Sequence, residues 1–431
     1  MRIVNTRPFA YSCLVACLVL VLAARAAAQT KIPQPETPKT RIRCITAFVR
    51  LDRSSYQLEI SEATKFLKIA QTTFESRGFT VETLRIATQP FPEYLYGLPR
   101  DEALQFFKNL DGLAQIEKVI ISIGPAYLAG DDGDAQADLL RDILENSKSL
   151  YGTVNVTNNG SVNWPAVRAA ARVMKHLADG TAHSEGNFRF AALASVPQAT
   201  PFFPGAYLTG LGHQFAVGLE SADEVADAVH GAADLPDAKR RLIDLFFQLA
   251  SRVENVATRI DSERGWTYLG LDLSPAPSKD ASIVTAIENM SHAPLGSHGT
   301  LSAIAVITSA IKEIGLRKTG YSGIMLPVLE DSVLAERWNA GLVSTDALLN
   351  YSSVCGTGLD TIPLPGNVTE DALSRIIGDV ATLSGKWNKP LTARLMPVAG
   401  RSAGERTDFS ETRFLNAVIQ PVSGREPQPG P

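Results

Sequence analysis

Phe215 to Asp223 reads FAVGLESAD: an apolar run leads straight into a glutamate, a serine and the start of the next segment. A strand that is apolar on both faces and ends at a helix-capping residue is the pattern of a buried parallel sheet with helical cover. The same pattern recurs on both sides of it. Strands are expected at 42–49, 80–86, 118–123, 151–156, 188–195, 215–219, 268–273, 324–329, 351–354 and 391–398. Periodic or alanine-rich helical stretches separate most of them, at 61–74, 134–146, 164–177, 236–260, 301–313 and 370–383. Ten strands are many for an open twisted sheet, so the expected fold is an α/β barrel.

The chain ends read differently. Arg2 and Arg7 precede an apolar run from Cys13 to Ala24, and Ala26-Ala27-Ala28 follows. That layout predicts a signal peptide over 1–28 and a secreted or periplasmic protein, with an uncleaved signal anchor as the alternative. Residues 29–40 form a proline-rich spacer, 41–421 a single domain, and 422–431 a polar tail expected to be disordered. With 45% hydrophobic and 20% charged residues the domain is globular. A net charge of -4 and the lack of a basic block argue against nucleic-acid binding, and the mature chain offers no stable membrane span. A homo-oligomer is compatible with this composition. Loss of the leader leaves Cys44 and Cys355, too few for a disulfide framework, though not for one bridge.

No dinucleotide, nucleotide, zinc-protease or serine-hydrolase motif is present, and no cofactor is evident. Sites in parallel α/β barrels gather at the C-terminal ends of strands, where Glu220, Asp272 and Asp331 fall. Converging there, the three would bind a polar substrate or a divalent cation; the plainer reading is that such residues cap helices, as Ser221 and Ser332 are expected to. His298, between Gly296 and Gly299, is either an acid/base residue or an exposed turn. Cys355 stands before Gly356 and Gly358, with Asp360 beyond. It is either a reactive thiol on a tight loop or a buried structural cysteine. Arg394, on the last strand, would counter an anionic group or pair with a carboxylate. The proline- and phenylalanine-rich stretch 199–208 is expected to line a pocket or plug one end of the barrel.

FRFAALASVPQATPFFPGAY, FAVGLESAD, GLDLSPAPSKDASIVTAIE, GSHGTLSAIAVIT, IMLPVLEDS, SSVCGTGLDTIPLPGN and RLMPVAGR occur in this order. Together they resemble the uncharacterised family called domain of unknown function 711. The resemblance implies a ten-stranded α/β barrel like that of pyruvate formate-lyase and other glycyl-radical enzymes, with an inserted cysteine-bearing loop that Cys355 best matches. It does not extend to the chemistry. Gly400 is followed by Arg401, without the aromatic residue that accompanies a glycyl radical. The function expected from sequence is therefore that of an exported protein acting on a small polar molecule without radical chemistry. Cys355 would be its nucleophile, with His298 and Asp360 assisting. The alternative is a non-catalytic protein that binds a metabolite or a divalent cation.

Overall fold

The computed structural model describes residues 40–126 and 133–422. The leader expected at 1–28, nearly all of the spacer at 29–40 and nearly all of the tail at 422–431 lie outside them. Twelve strands are described: β1 (Thr40–Phe48), β2 (Phe79–Val81), β3 (Leu84–Ala87), β4 (Ile120–Ala126), β5 (Leu150–Asn155), β6 (Thr157–Asn158), β7 (Ser161–Val162), β8 (Phe190–Ala194), β9 (Gln214–Glu220), β10 (Thr267–Asp272), β11 (Gly358–Pro365) and β12 (Leu391–Val398). Apart from the small β6–β7 ladder they form one ten-stranded sheet in the order β10-β9-β1-β3-β4-β5-β8-β12-β11, with β2 also on β1. An α/β architecture around a large central sheet is thus established.

The sheet has two directions. β1, β3, β4, β5 and β8 run parallel to one another. β9 pairs antiparallel with β1 and β12 antiparallel with β8, and each brings a parallel neighbour, β10 and β11. Residues 317–329 touch both outer edges. Leu271 donates to Arg317 O at 3.0 Å and Val328 donates to Asp360 O at 3.1 Å, with bridges at Leu271–Lys318 and Pro327–Asp360.

Strands such as FAALA in β8 and LTARLMPV in β12 are buried along their whole length, because helices cover one face and the chain itself covers the other. The main hydrophobic core lies on the helical side. Smaller clusters occupy the inner side, among them Phe48, Ala87, Ala206 and Ala216, and another of Cys44, Phe202, Ala276 and Met325. What fills the inner side is the connection from β8 to β9. Thr46 Oγ1 donates to Pro201 O at 2.7 Å, Ser122 Oγ to Ala206 O at 2.6 Å, and Leu208 N to Thr88 O at 3.0 Å. Its Phe203–Pro204 peptide is cis.

Three expectations need correction. Residues 351–354 form no strand: Tyr351 ends the helix Thr345–Tyr351, which Ser344 caps at Ala347 N, and the strand begins at Gly358. Residues 324–329 make only the bridge to β11 instead of a ladder, because Pro327 has no N–H to give. The segment packed inside the sheet is 195–213, which has no cysteine, so no cysteine-bearing loop is inserted. Cys355 belongs to the helix-side core.

Candidate functional site

Arginines placed inside apolar strands create the site. Arg43 on β1, Arg85 on β3 and Arg394 on β12 all turn to the inner face. There, with Arg413, they line a cavity of about 70 Å³. The β8–β9 connection supplies Phe202, Phe203 and Pro204 to its wall, and 317–329 supplies Tyr321, Met325 and Pro327. Tyr151, Glu330, Asp360 and Thr392 complete its polar lining.

The arginines are not equivalent. Arg394 donates Nε to Asp360 Oδ1 at 2.6 Å and Nη2 to Glu330 Oε1 at 2.8 Å. Burial works against its charge, but Asp360 and Glu330 outweigh burial and raise its pKa. Arg43 reaches Glu330 at 3.1 Å, Glu220 at 2.8 Å and Glu82 at 3.2 Å, and its pKa is raised for the same reason. Arg413 forks onto both oxygens of Glu411 at 2.9 Å and stacks on Phe188. Among the described residues Arg85 has no carboxylate partner. Its Nε donates to Thr83 Oγ1 at 2.9 Å and its guanidinium lies 5.2 Å from the Phe203 ring centroid. It is 5% exposed, and burial lowers its pKa with Arg43 and Arg413 adding repulsion. A buried, unneutralised guanidinium is costly in a folded protein, so its presence at a cavity marks an anion position. Tyr151, which also lines the cavity, makes no hydrogen bond through its hydroxyl to any described residue.

The acidic residues expected from sequence lie in several places. Asp360 lies at the cavity, paired with Arg394; burial still holds its carboxyl above the ordinary range. A bulge directs it there: Thr361 has φ 47°, and the β11–β12 register shifts between Leu359 and Ile362. Glu220 is fully buried against Arg41 and Arg43, and burial pushes it up to about 7. Asp272 accepts from Ser274 N, Ser274 Oγ, Tyr321 N and Ser322 N, so it shapes the turn that carries Tyr321. Asp331 accepts from Ser282 Oγ, Ile283 N and Leu334 N, holding the starts of two helices, and burial pushes it up to about 6. The cap of the helix Ser332–Asn339 is therefore Asp331 rather than Ser332, and Ser221 Oγ has no partner at its own helix start. Convergence of Glu220, Asp272 and Asp331 on one ion is not what the fold produces, because each carboxylate is already engaged by different donors. Among the described residues no group of three or more His, Cys, Asp or Glu side chains is placed to hold a metal ion.

Cys355 and His298 are not brought to the cavity. Cys355 is 1% exposed among apolar neighbours, and its carbonyl accepts from Lys389 Nζ. Cys44 and Cys355 are both free thiols. His298 is exposed in the turn before the helix Thr300–Glu313. Gly356 does not open space for a thiol. It lets two backbones cross, since a Cβ there would stand 2.5 Å from Gly323 Cα. Gly356→Ala is expected to cost about 1–3 kcal/mol, read as a lowered denaturant midpoint.

The sequence reading missed Arg43, Arg85, Arg413, Glu330, Tyr151 and Tyr321. The available signal was a charged residue inside an otherwise apolar strand, as in RIRCITAF and LRIA.

The family described as "Uncharacterised ACR (DUF711)" matches residues 36–411. A UPF0210 protein of Pyrobaculum islandicum is 34% identical over 77% of this chain and 77% of its own length. UPF0210 proteins of Methanocaldococcus jannaschii (83% of each chain) and Listeria monocytogenes serotype 4b (86% of each) are both 26% identical. These relatives overturn the expected exported protein. The family match runs over 36–411, and the leader-like segment on which export was read has no part in it. Among the described residues no helix is long and apolar enough to cross a membrane.

Proposed function

Since this chain belongs to the DUF711 family, whose description assigns no activity, its function has to be argued from its own site, and we propose that it binds a small anion in the arginine-lined cavity. The anion is a carboxylate or a phosphate of a compact molecule. Arg85 is its principal ligand, with the Tyr151 hydroxyl as a second donor and aromatic rings excluding water.

The single observation that carries this reading is Arg85 itself: a guanidinium 5% exposed, facing a cavity, with no carboxylate partner among the described residues. Every other arginine of the cavity is neutralised by named carboxylates. A bound anion would supply the missing charge and strengthen in the low dielectric of the site.

The reading extends to architecture. A closed barrel, with 317–329 as the element joining β10 to β11, is favoured by hydrogen bonds from that segment to both sheet edges. Closure would give two five-membered halves, antiparallel to each other, with 195–213 inside. This is the arrangement of the glycyl-radical-type barrel in shape alone.

The test is thermal unfolding of the wild type and Arg85→Met with acetate or phosphate, using chloride at equal ionic strength as control. A shift of several degrees in the wild type that disappears in Arg85→Met is the expected result. Equal shifts in both proteins, or none in either, would sink the proposal.

A further inference from the structure

The charges around the cavity narrow the anion-binding reading, on which this inference rests. Of the four arginines on its wall, three are balanced. Arg394 holds Asp360 at 2.6 Å and Glu330 at 2.8 Å, Arg43 holds Glu330 at 3.1 Å, and Arg413 holds both oxygens of Glu411 at 2.9 Å. Glu330, Asp360 and Glu411 alone match three guanidiniums, before Glu220 and Glu82 beside Arg43 are added. Arg85 is left over with a single positive charge. Its Nε is taken by Thr83 Oγ1, and its two terminal nitrogens donate to no described residue. The surroundings of that guanidinium are aromatic. The Phe203 ring centroid lies 5.2 Å from it, and the Tyr151 ring packs on Phe203 with centroids 5.2 Å apart. Phe202, Pro204, Ala276, Pro277, Met325 and Pro327 extend the apolar wall.

We infer that the ligand is a monocarboxylate with an apolar body, rather than a phosphate or a dicarboxylate. Its two oxygens meet the terminal nitrogens of Arg85, and its hydrocarbon part lies against the apolar wall. A guanidinium whose Nε is occupied still offers two N–H donors at its outer end, and their spacing matches the two oxygens of a carboxylate. One charge then meets one charge. A phosphate dianion or a second carboxylate would bring a further negative charge among guanidiniums that already have partners, and a buried charge without a partner is costly. The neutral polar groups of the wall point the same way. Tyr321 and Thr392 bond each other through their hydroxyls at 2.6 Å, and Thr357 donates to Ile324 O at 3.3 Å. The Tyr151 hydroxyl is left as a second donor to the carboxylate. A hydroxyl or ammonium on the body of the ligand, placed against Phe202, Met325 and Pro327, would lose water and gain no partner.

The test is calorimetric titration of the full chain with butanoate, succinate, acetate and inorganic phosphate. Succinate is butanoate with a second carboxylate in place of the methyl group, and acetate is the same head group with the chain cut short. Butanoate is expected to bind about tenfold or more tighter than succinate, phosphate or acetate, and its binding should vanish in Arg85→Met. Succinate or phosphate binding as tightly as butanoate would overturn the single-charge ligand and leave the anion site standing. Acetate binding as tightly as butanoate would overturn the apolar body, again with the anion site intact. Butanoate binding retained in Arg85→Met would overturn the placement on Arg85. Binding of none of the four would overturn the anion site itself.

Discussion

Arg85→Met is expected to give a ligand-free protein more stable than the wild type. Among the described residues the wild-type side chain holds a charge inside the fold with one neutral hydrogen-bond partner, Thr83, and no carboxylate. Replacing a poorly compensated buried charge by an apolar group of similar length removes a desolvation cost, and gains of about 1–4 kcal/mol are the usual scale. The measurement is a denaturant melt of both proteins without added anion. A higher midpoint at unchanged slope is the expected outcome. A lower midpoint would mean that Arg85 is stabilised by the protein itself, and the premise of an anion position would go with it. Stability given up at a site and recovered by ligand is the usual sign of a functional residue.

Asp272→Ala is expected to produce the opposite effect, a loss on the order of 3–5 kcal/mol. The carboxylate is completely buried and collects donors from Ser274 and from the backbone of Tyr321 and Ser322. Alanine would strand these N–H groups inside the protein at about 1–3 kcal/mol apiece, with some relief by relaxation. The turn they hold also requires Gly320, where φ is +67° and a Cβ would stand 2.1 Å from Asp272 Oδ2. Because that turn delivers Tyr321 to the cavity, anion affinity should fall together with the melting midpoint. Asp272→Asn keeps one acceptor oxygen and should lose about half as much. An alanine variant within about 1 kcal/mol of the wild type would show that the turn is held by other contacts.

The alternation of apolar strands and helices was legible because most strands of the large sheet, such as β8, β9 and β12, are covered on both faces and so read as apolar runs. The segment 351–365 was misread for a physical reason. LDTIPLP carries two prolines and looks like a loop, yet it forms β11 because only one neighbour, β12, pairs along its length. YSSV, rich in residues that favour strands, instead begins at the last residue of a short helix whose start is fixed by Ser344. The site was harder to see. Glu220, Asp272 and Asp331 were found by position, at strand ends, but position does not reveal whether a carboxylate is already occupied. Asp360 and Arg394 were both singled out, and the fold brings them within 2.6 Å of each other at the cavity. Arg85 was passed over because a charged residue in a strand normally faces water. Here the inner face holds a second layer of chain instead.

The pairing of β1 with β9 has a consequence for synthesis. Arg43 and Glu220, which meet across that pairing, are 177 positions apart. At ordinary elongation rates of about 5–20 residues per second, β1 waits roughly 9 to 35 s for the strand that will close its open side. During that interval it is an unprotected edge of exactly the kind other nascent chains can extend. The charges of Arg41 and Arg43 sit on this strand, and before they have carboxylates to pair with they make it a poor template. The side chains that later knit the two halves of the sheet together first serve as guards against aggregation.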